Sequence, residues 1–288
     1  MAPFLTTIST SQFFFFFLTL MTFLLNLCTG DYVLYNGEVL MPGQNLTNGP
    51  HHLSMQPNCD LVLHHSGKLV WTTNSTFNSS SNYNNGSCYA ALKQNGELVV
   101  RRDVHYILWT SAKKAKKGKY ALVLDSTGRL GIYGSRRWVS NNPKEHGPGT
   151  RPGPTKDTEY VLHSGKRLLM GKQLKYREYE LSLSKNCNLV INSTRSGRTL
   201  WQTNTKAATC FLELENNGEL MVKHGSQRIW SSNRKGDKGR YIAVLQFDGR
   251  FAVYGPILWF NAKFDDSTKN DYPPIDLIKE EIITWEMD

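Results

Sequence analysis

The chain has 288 residues, 40% hydrophobic and 11% aromatic, a composition that excludes a disordered chain and leaves room for two ordinary domains. Its formal net charge of +10 would point to nucleic acid in a cytoplasmic protein. The N-terminus argues against that compartment.

The first thirty residues carry no charged side chain, and Phe13 to Leu27 is an apolar run broken only by Thr19, Thr22 and Asn26. Ending at the small residues Thr29 and Gly30, residues 1–30 read as a signal peptide that takes Cys28 with it. No later stretch reaches the ~20 apolar residues of a spanning helix. The mature protein is therefore expected to be exported, extracellular or vacuolar, with no membrane span and no nucleic-acid partner. The lysine cluster from Lys113 to Lys119 reads as a solvated loop.

From Asp31 onward the chain repeats itself. DYVLYNGEVL at 31–40 matches EYVLHSGKRL at 159–168, an offset of 128 residues that also carries Cys59 onto Cys187. Between the copies, residues 141–158 hold four prolines and three glycines, which build neither a helix nor a central strand. The expected organisation is a first domain at 31–142, a linker at 143–158, a second domain at 159–263 and an acidic tail at 264–288. That tail has eight acids against two lysines and does not continue the repeat.

Each half contains a finer period. Trp201, Trp230 and Trp259 are 29 residues apart and open WQTN, WSSN and WFNA; Trp71, Trp109 and Trp138 open WTTN, WTSA and WVSN. The first interval is lengthened by an NSSSNYNNGS insertion, expected as an exposed loop. LKQNGELVV, LDSTGRLGIY, LENNGELMV and LQFDGRFAVY place a turn between alternating apolar residues, the pattern of a β-hairpin. Three hairpin-based sheets around a pseudo-threefold axis would bury the repeat tryptophans in one core per half. The unit is short for a β-trefoil or a propeller blade.

The four remaining cysteines fall into two pairs, Cys59 with Cys88 and Cys187 with Cys210, one bridge per half in an oxidising compartment. Sequons stand at Asn45, Asn74, Asn78, Asn85 and Asn192. No G-x-S-x-G, H-E-x-x-H or C-x-x-C is present, and His64 and His65 point to opposite faces of a strand, so no enzyme, metal or cofactor is expected.

These hairpins resemble the monocot mannose-binding (bulb-type, snowdrop-agglutinin-like) lectin family over about residues 31–263. The family signature is Q-x-D-x-N-x-V-x-Y, repeated up to three times per domain. The resemblance implies an all-β fold of two tandem β-prism II domains, each of three four-stranded antiparallel sheets. It further implies shallow metal-free sites in which amide and carboxylate groups bind mannose hydroxyls.

Gln246, Asp248, Arg250, Ala252 and Tyr254 fit best, with Arg for Asn and Ala for Val. Arg250 offers only donors and could pair with Asp248. A hairpin with a DG turn and a buried tyrosine explains the same stretch without a sugar. Gln56, Asn58, Asp60, Val62 and His64 form the second candidate. In the fourth repeat Ser184, Asn186, Asn188, Val190 and Asn192 keep Asn and Val, but Asn192 opens a sequon.

The other sets read as scaffold: Asp125, Thr127, Arg129, Gly131 and Tyr133; Lys93, Asn95, Glu97, Val99 and Arg101; and Glu215, Asn217, Glu219, Met221 and Lys223. The resemblance also implies bridges between adjacent sheets, loss of the C-terminal segment, cleavage between the domains, and homo- or heterodimers formed by exchange of the strand around Trp259 to Lys263. Two functions follow: a lectin for mannose-containing glycans in defence or storage, or a relative of the same fold that has lost sugar binding and acts in storage, defence or taste.

Overall fold

The computed structural model describes residues 31–76, 88–140 and 158–261. The expected signal peptide, most of the linker, the acidic tail, and the sequons at Asn78 and Asn85 lie outside the described residues. The described chain is all β: twenty-four strands in six four-stranded antiparallel sheets, as the resemblance implied.

The first sheet runs β3 (Asn45–Asn48), β4 (His51–Met55), β5 (Leu61–His65) and β6 (Lys68–Thr72). The second orders β2 (Val39–Leu40), β7 (Cys88–Leu92), β8 (Leu98–Arg102) and β9 (Tyr106–Thr110). In the second half, β15 (Gln173–Tyr176), β16 (Tyr179–Leu183), β17 (Leu189–Ser193) and β18 (Arg198–Gln202) form the fourth sheet. The fifth holds β14 (Arg167–Leu169), β19 (Phe211–Leu214), β20 (Leu220–His224) and β21 (Gln227–Ser231). Inner strands alternate, as in β4, where His51, Leu53 and Met55 are buried and His52 and Ser54 are not.

The third and sixth sheets exchange their last strands. β1 (Val33–Tyr35), β10 (Ala121–Leu124) and β11 (Leu130–Tyr133) are completed by β24 (Ile257–Phe260), 124 residues beyond β11, with Ile132 opposite Trp259. Conversely β13 (Val161–His163), β22 (Ile242–Leu245) and β23 (Phe251–Tyr254) are completed by β12 (Arg136–Val139) from the first half. The two connections cross and bond, Gly134 N to Pro256 O at 2.9 Å and Gly255 N to Gly134 O at 3.1 Å. The C-terminal strand thus completes a neighbouring unit of its own chain.

The exchange redistributes the tryptophans. Each stands on the fourth strand of its sheet, but the clusters do not follow the sequence halves. Trp71, Trp109 and Trp259 meet edge to face at 5.8–6.2 Å, and Trp138, Trp201 and Trp230 at 5.7–5.8 Å. Such pairs contribute about 0.5–1.5 kcal/mol each beyond area burial. They close each prism axis, and the exchange fastens each half to the other.

A second lock is polar. Tyr32 and Tyr160, matched by the 128-residue offset between the halves, donate each backbone N–H to the other's hydroxyl at 2.9 and 3.0 Å. The Tyr160 hydroxyl in turn donates to the buried carboxylate of Asp31, which also accepts from Tyr176 at 3.3 Å. Burial and the Asp31 charge raise the Tyr160 pKa well above the usual phenol range, so the hydroxyl remains a donor.

The hairpin turns share one requirement. Cys59, Gly96, Gly128, Cys187, Gly218 and Gly249 occupy the same turn position with φ between 66° and 82°, where a side chain is disfavoured. Glycine meets this in four repeats. In the other two the position is a bridged cysteine, Cys59–Cys88 and Cys187–Cys210, with Cα–Cα distances of 5.2 and 5.8 Å. Each bridge ties one sheet's turn to the neighbouring sheet, and closing such a loop stabilises by ~3 kcal/mol. The last letter of the WTTN, WQTN and WSSN segments has a similar cause: Asn74, Asn204 and Asn233 adopt φ of 49–56°, which asparagine tolerates better than most residues.

Candidate functional site

The sixth-repeat hairpin brings its five sequence-matched residues together. The turn between β22 and β23 closes through Gln246 N to Arg250 O at 2.7 Å and Gly249 N to Gln246 O at 3.0 Å. Across it, Gln246 Nε2 donates to the Tyr254 hydroxyl at 3.0 Å. Gln246 Oε1 is buried without a hydrogen-bond partner among the described residues. Burial pushes the Tyr254 pKa up to about 12, so the phenol keeps its proton.

Arg250 stands where the family has asparagine, and its guanidinium clasps Asp248 Oδ2 through Nε at 2.7 Å and Nη2 at 2.5 Å. The pairing expected from its donor-only chemistry is therefore present. Gln246, Asp248, Ala252 and Tyr254 are each at most 5% exposed, leaving the Arg250 side chain, 17% exposed, as the outer wall. The inner end is closed from the first half, where Tyr35 on β1 meets the Tyr254 ring at 6.0 Å.

The first-repeat set is more open. Asn58 is exposed, and Gln56 and His64 are half-buried. His64 lies opposite His52 across β4 and β5, while His51 and His65 pair on the other face with rings 4.6 Å apart. Asp60 is committed: its carboxylate accepts from Thr72 at 2.5 Å, Thr73 at 2.7 Å and the Ser75 amide at 3.3 Å. This ties the hairpin to the chain beyond Trp71 and leaves Gln56, Asn58 and His64 facing outward beside Val62.

The same tie recurs at the third slot of other repeats. Glu97 accepts from Thr110 at 2.7 Å and from Lys93 at 2.8 Å, Glu219 accepts from Ser231, and Asn188 Oδ1 accepts from Thr203 at 3.1 Å. In the fourth repeat Asn188 also donates to Gln202 at 2.8 Å, and Asn192 Oδ1 accepts from Thr199 at 2.9 Å. Of the other described sequons, Asn45 lies on β3 and Asn74 is exposed on its turn.

The third repeat holds a feature that its sequence does not announce. A shallow surface dimple is lined by Asp125, Arg129, Gly131 and Tyr133, and by Arg240, Ile257 and Phe260. Arg129 Nε bonds Asp125 Oδ2 at 3.0 Å, repeating the arginine–aspartate clasp of the sixth repeat. The last three lining residues arrive through the strand exchange, more than a hundred positions along the chain. The second- and fifth-repeat sets form turn ties and surface ion pairs, such as Lys223 to Glu213 at 2.6 Å and to Glu215 at 2.5 Å.

Among the described residues no helix is long and apolar enough to cross a membrane, and no three or more His, Cys, Asp or Glu side chains gather as a metal site would need.

No protein-family model matches the chain. It is 34% identical to mannose-specific lectin 2 of Colocasia esculenta, over 80% of this chain and 85% of that protein. It is 32% identical to mannose-specific lectin 1 of Remusatia vivipara, over 80% and 86%. Among solved structures it resembles the native fetuin-binding Scilla campanulata agglutinin, a two-domain lectin, with a TM-score of 0.72 at 27% identity, covering 80% of this chain and all of the other.

Proposed function

The chain belongs to the monocot mannose-specific lectins, and we propose that it is a non-catalytic lectin for mannose-bearing glycans, exported to the cell exterior or the vacuole. The observation that carries this reading is the sixth-repeat constellation of Gln246, Asp248 and Tyr254, with one amide oxygen still uncommitted. A sugar hydroxyl donating to Gln246 Oε1 would satisfy the one buried acceptor of the set that lacks a partner. Entry requires Arg250 to swing off Asp248, so affinity per site is low and several copies supply avidity. Gln56, Asn58 and His64 form a second, open face.

The mature chain on this reading spans two domains, the acidic tail is removed, and two chains pair as a dimer, the exchange of β24 being made within each chain rather than between chains. Size-exclusion chromatography with light scattering tests the pairing: a mass of one chain at all concentrations contradicts it.

A second reading has its own observation. Four of the five sixth-repeat side chains are nearly inaccessible and Asp248 is ion-paired, as expected of a relative that has abandoned sugars for a storage, defence or taste role. Glycan-array binding with and without free mannose separates the two, alongside a Gln246→Ala plus Asp248→Ala variant. Mannose-inhibited binding that disappears in the variant supports the proposal. Absence of glycan binding by folded, disulfide-intact protein overturns it.

A further inference from the structure

The crossing of the two halves gathers positive charge. The loop from β9 to β10 presents Lys113, Lys114, Lys116, Lys117 and Lys119, all exposed, with no acid among residues 113–119. Its counterpart from β21 to β22 carries Arg234, Lys235, Lys238 and Arg240 against Asp237. Arg136 and Arg137 stand at the crossing itself. Glu97 and Glu219, 3% and 2% exposed, lie beneath the loops and each receive one loop lysine, Lys114 at 3.7 Å and Lys235 at 3.2 Å, besides Lys93 at 2.8 Å and Arg228 at 3.5 Å from outside them. Within residues 113–119 and 234–240 nine cations accompany one acid, Asp237, in a chain whose net charge is +10.

The backbone beneath these charges is built. Ala115 N and Gly118 N bond the carbonyls of Asn95 and Gln94, each at 2.8 Å. In the second loop Gly236 N and Gly239 N bond those of Asn217 and Asn216, each at 2.7 Å. A tyrosine hydroxyl pins each loop from below, Tyr120 to Lys116 O and Tyr241 to Asp237 O.

Both loops end on the crossing strands, Arg136 N on Lys119 O at 2.8 Å and Ile257 N on Arg240 O at 2.9 Å. Gly236 lies so near the Arg137 guanidinium that a side chain there would sit 3.4 Å from Nη2. Strand exchange thus anchors two basic loops, 121 residues apart in sequence, to the same crossing, with Arg240 at the edge of the third-repeat dimple.

We propose that these two loops dock a linear acidic polysaccharide, a polyuronate with one carboxylate per sugar. Like charge on fixed backbone concentrates a polyanion without paying loop-ordering entropy. Phe260, 38% exposed and beside Arg240 at the third-repeat dimple, offers an aromatic face on which a sugar ring can lie, which favours a sugar chain. A bilayer would favour apolar side chains for insertion, and residues 113–119 and 234–240 include none larger than alanine. The docking is independent of the mannose reading, because the hydrogen-bonding set of the sixth repeat is not used.

The test measures the purified full chain on immobilised polygalacturonate, on its fully methyl-esterified form, on phosphatidylserine vesicles and on duplex DNA, across 50–300 mM salt. A loop variant replaces Lys113, Lys116, Lys117, Arg234 and Lys238 with glutamine. A control variant removes five exposed charges elsewhere, at Lys68, Lys172, Lys185, Arg198 and Lys206. The proposal expects salt-dependent binding to polygalacturonate only, weakened about tenfold or more in the loop variant and less than twofold in the control. Equal loss in both variants, equal binding to the neutral polymer, or tighter binding to vesicles or DNA overturns it. Mannose-inhibited glycan binding, followed in the same samples, reports separately on the sixth repeat.

Discussion

Trp259→Ala tests the strand exchange where it carries most energy. Trp259 lies in the C-terminal half by sequence but completes the first half's cluster, 6.2 Å from Trp71 and 6.0 Å from Trp109. Truncating a fully buried tryptophan costs about 3–5 kcal/mol. Trp259 is only half-buried, so its truncation should cost about 2–4 kcal/mol, including two edge-to-face contacts of about 0.5–1.5 kcal/mol each.

Native-state hydrogen exchange locates the loss. Amides of β10 and β11 should exchange about thirtyfold or more faster, while those of β22 and β23 change little. Trp138→Ala should give the mirror image, loosening β17 and β20 through Trp201 and Trp230. If each variant loosens the half that carries it in sequence, the exchange described here is wrong.

Arg250→Asn releases Asp248 from its ion pair and should raise affinity for methyl mannoside about tenfold by calorimetry; unchanged or lower affinity contradicts the gating role of Arg250. Asp31→Ala removes the acceptor for Tyr160 and Tyr176 in a buried site and should cost about 2–4 kcal/mol in urea unfolding. Gly128→Ala places a methyl 2.4 Å from His51 Nδ1 at a φ of +82°, and should lower stability by about 1–3 kcal/mol.

Burial lowers the His51 pKa and takes that of His163 down to about 4, with Asp125 opposing and Arg129 and Lys166 assisting at His163. The folded state thus binds fewer protons than the unfolded one between pH 6.5 and about 4. The contribution of His163 is complete above pH 6.5 and is lost as pH falls through that window. His163→Gln should flatten the fall in stability over that window, and a slope unchanged by it contradicts the assignment.

Much of the architecture is legible in the chain because each repeat carries its own evidence. A turn residue able to hold positive φ, flanking alternation and a tryptophan on the following strand specify a hairpin plus one strand. The two cysteine pairs follow from the same register. The partner of each fourth strand is not legible. RRWVSN and ILWFNA both offer a tryptophan strand to the third and sixth sheets, and local pattern does not choose between them. Neither the mixed clusters nor the dimple lined by Arg240, Ile257 and Phe260 could therefore be read from spacing.

The site was legible in chemistry and less so in access. The Arg250–Asp248 pair follows from donor count alone. The closure over Tyr254 depends on Tyr35, more than two hundred residues away, which approaches only because the halves pack together.

Recognition of mannose in the sixth repeat is checked residue by residue when the isotopically labelled protein is titrated with methyl mannoside and followed by NMR. Binding there should give saturable shifts at the Gln246 side-chain amide, the Ala252 methyl and the Tyr254 ring, together with a change at the Arg250 guanidinium as it leaves Asp248. Saturable shifts confined to other repeats, or none at all in folded protein, would contradict it.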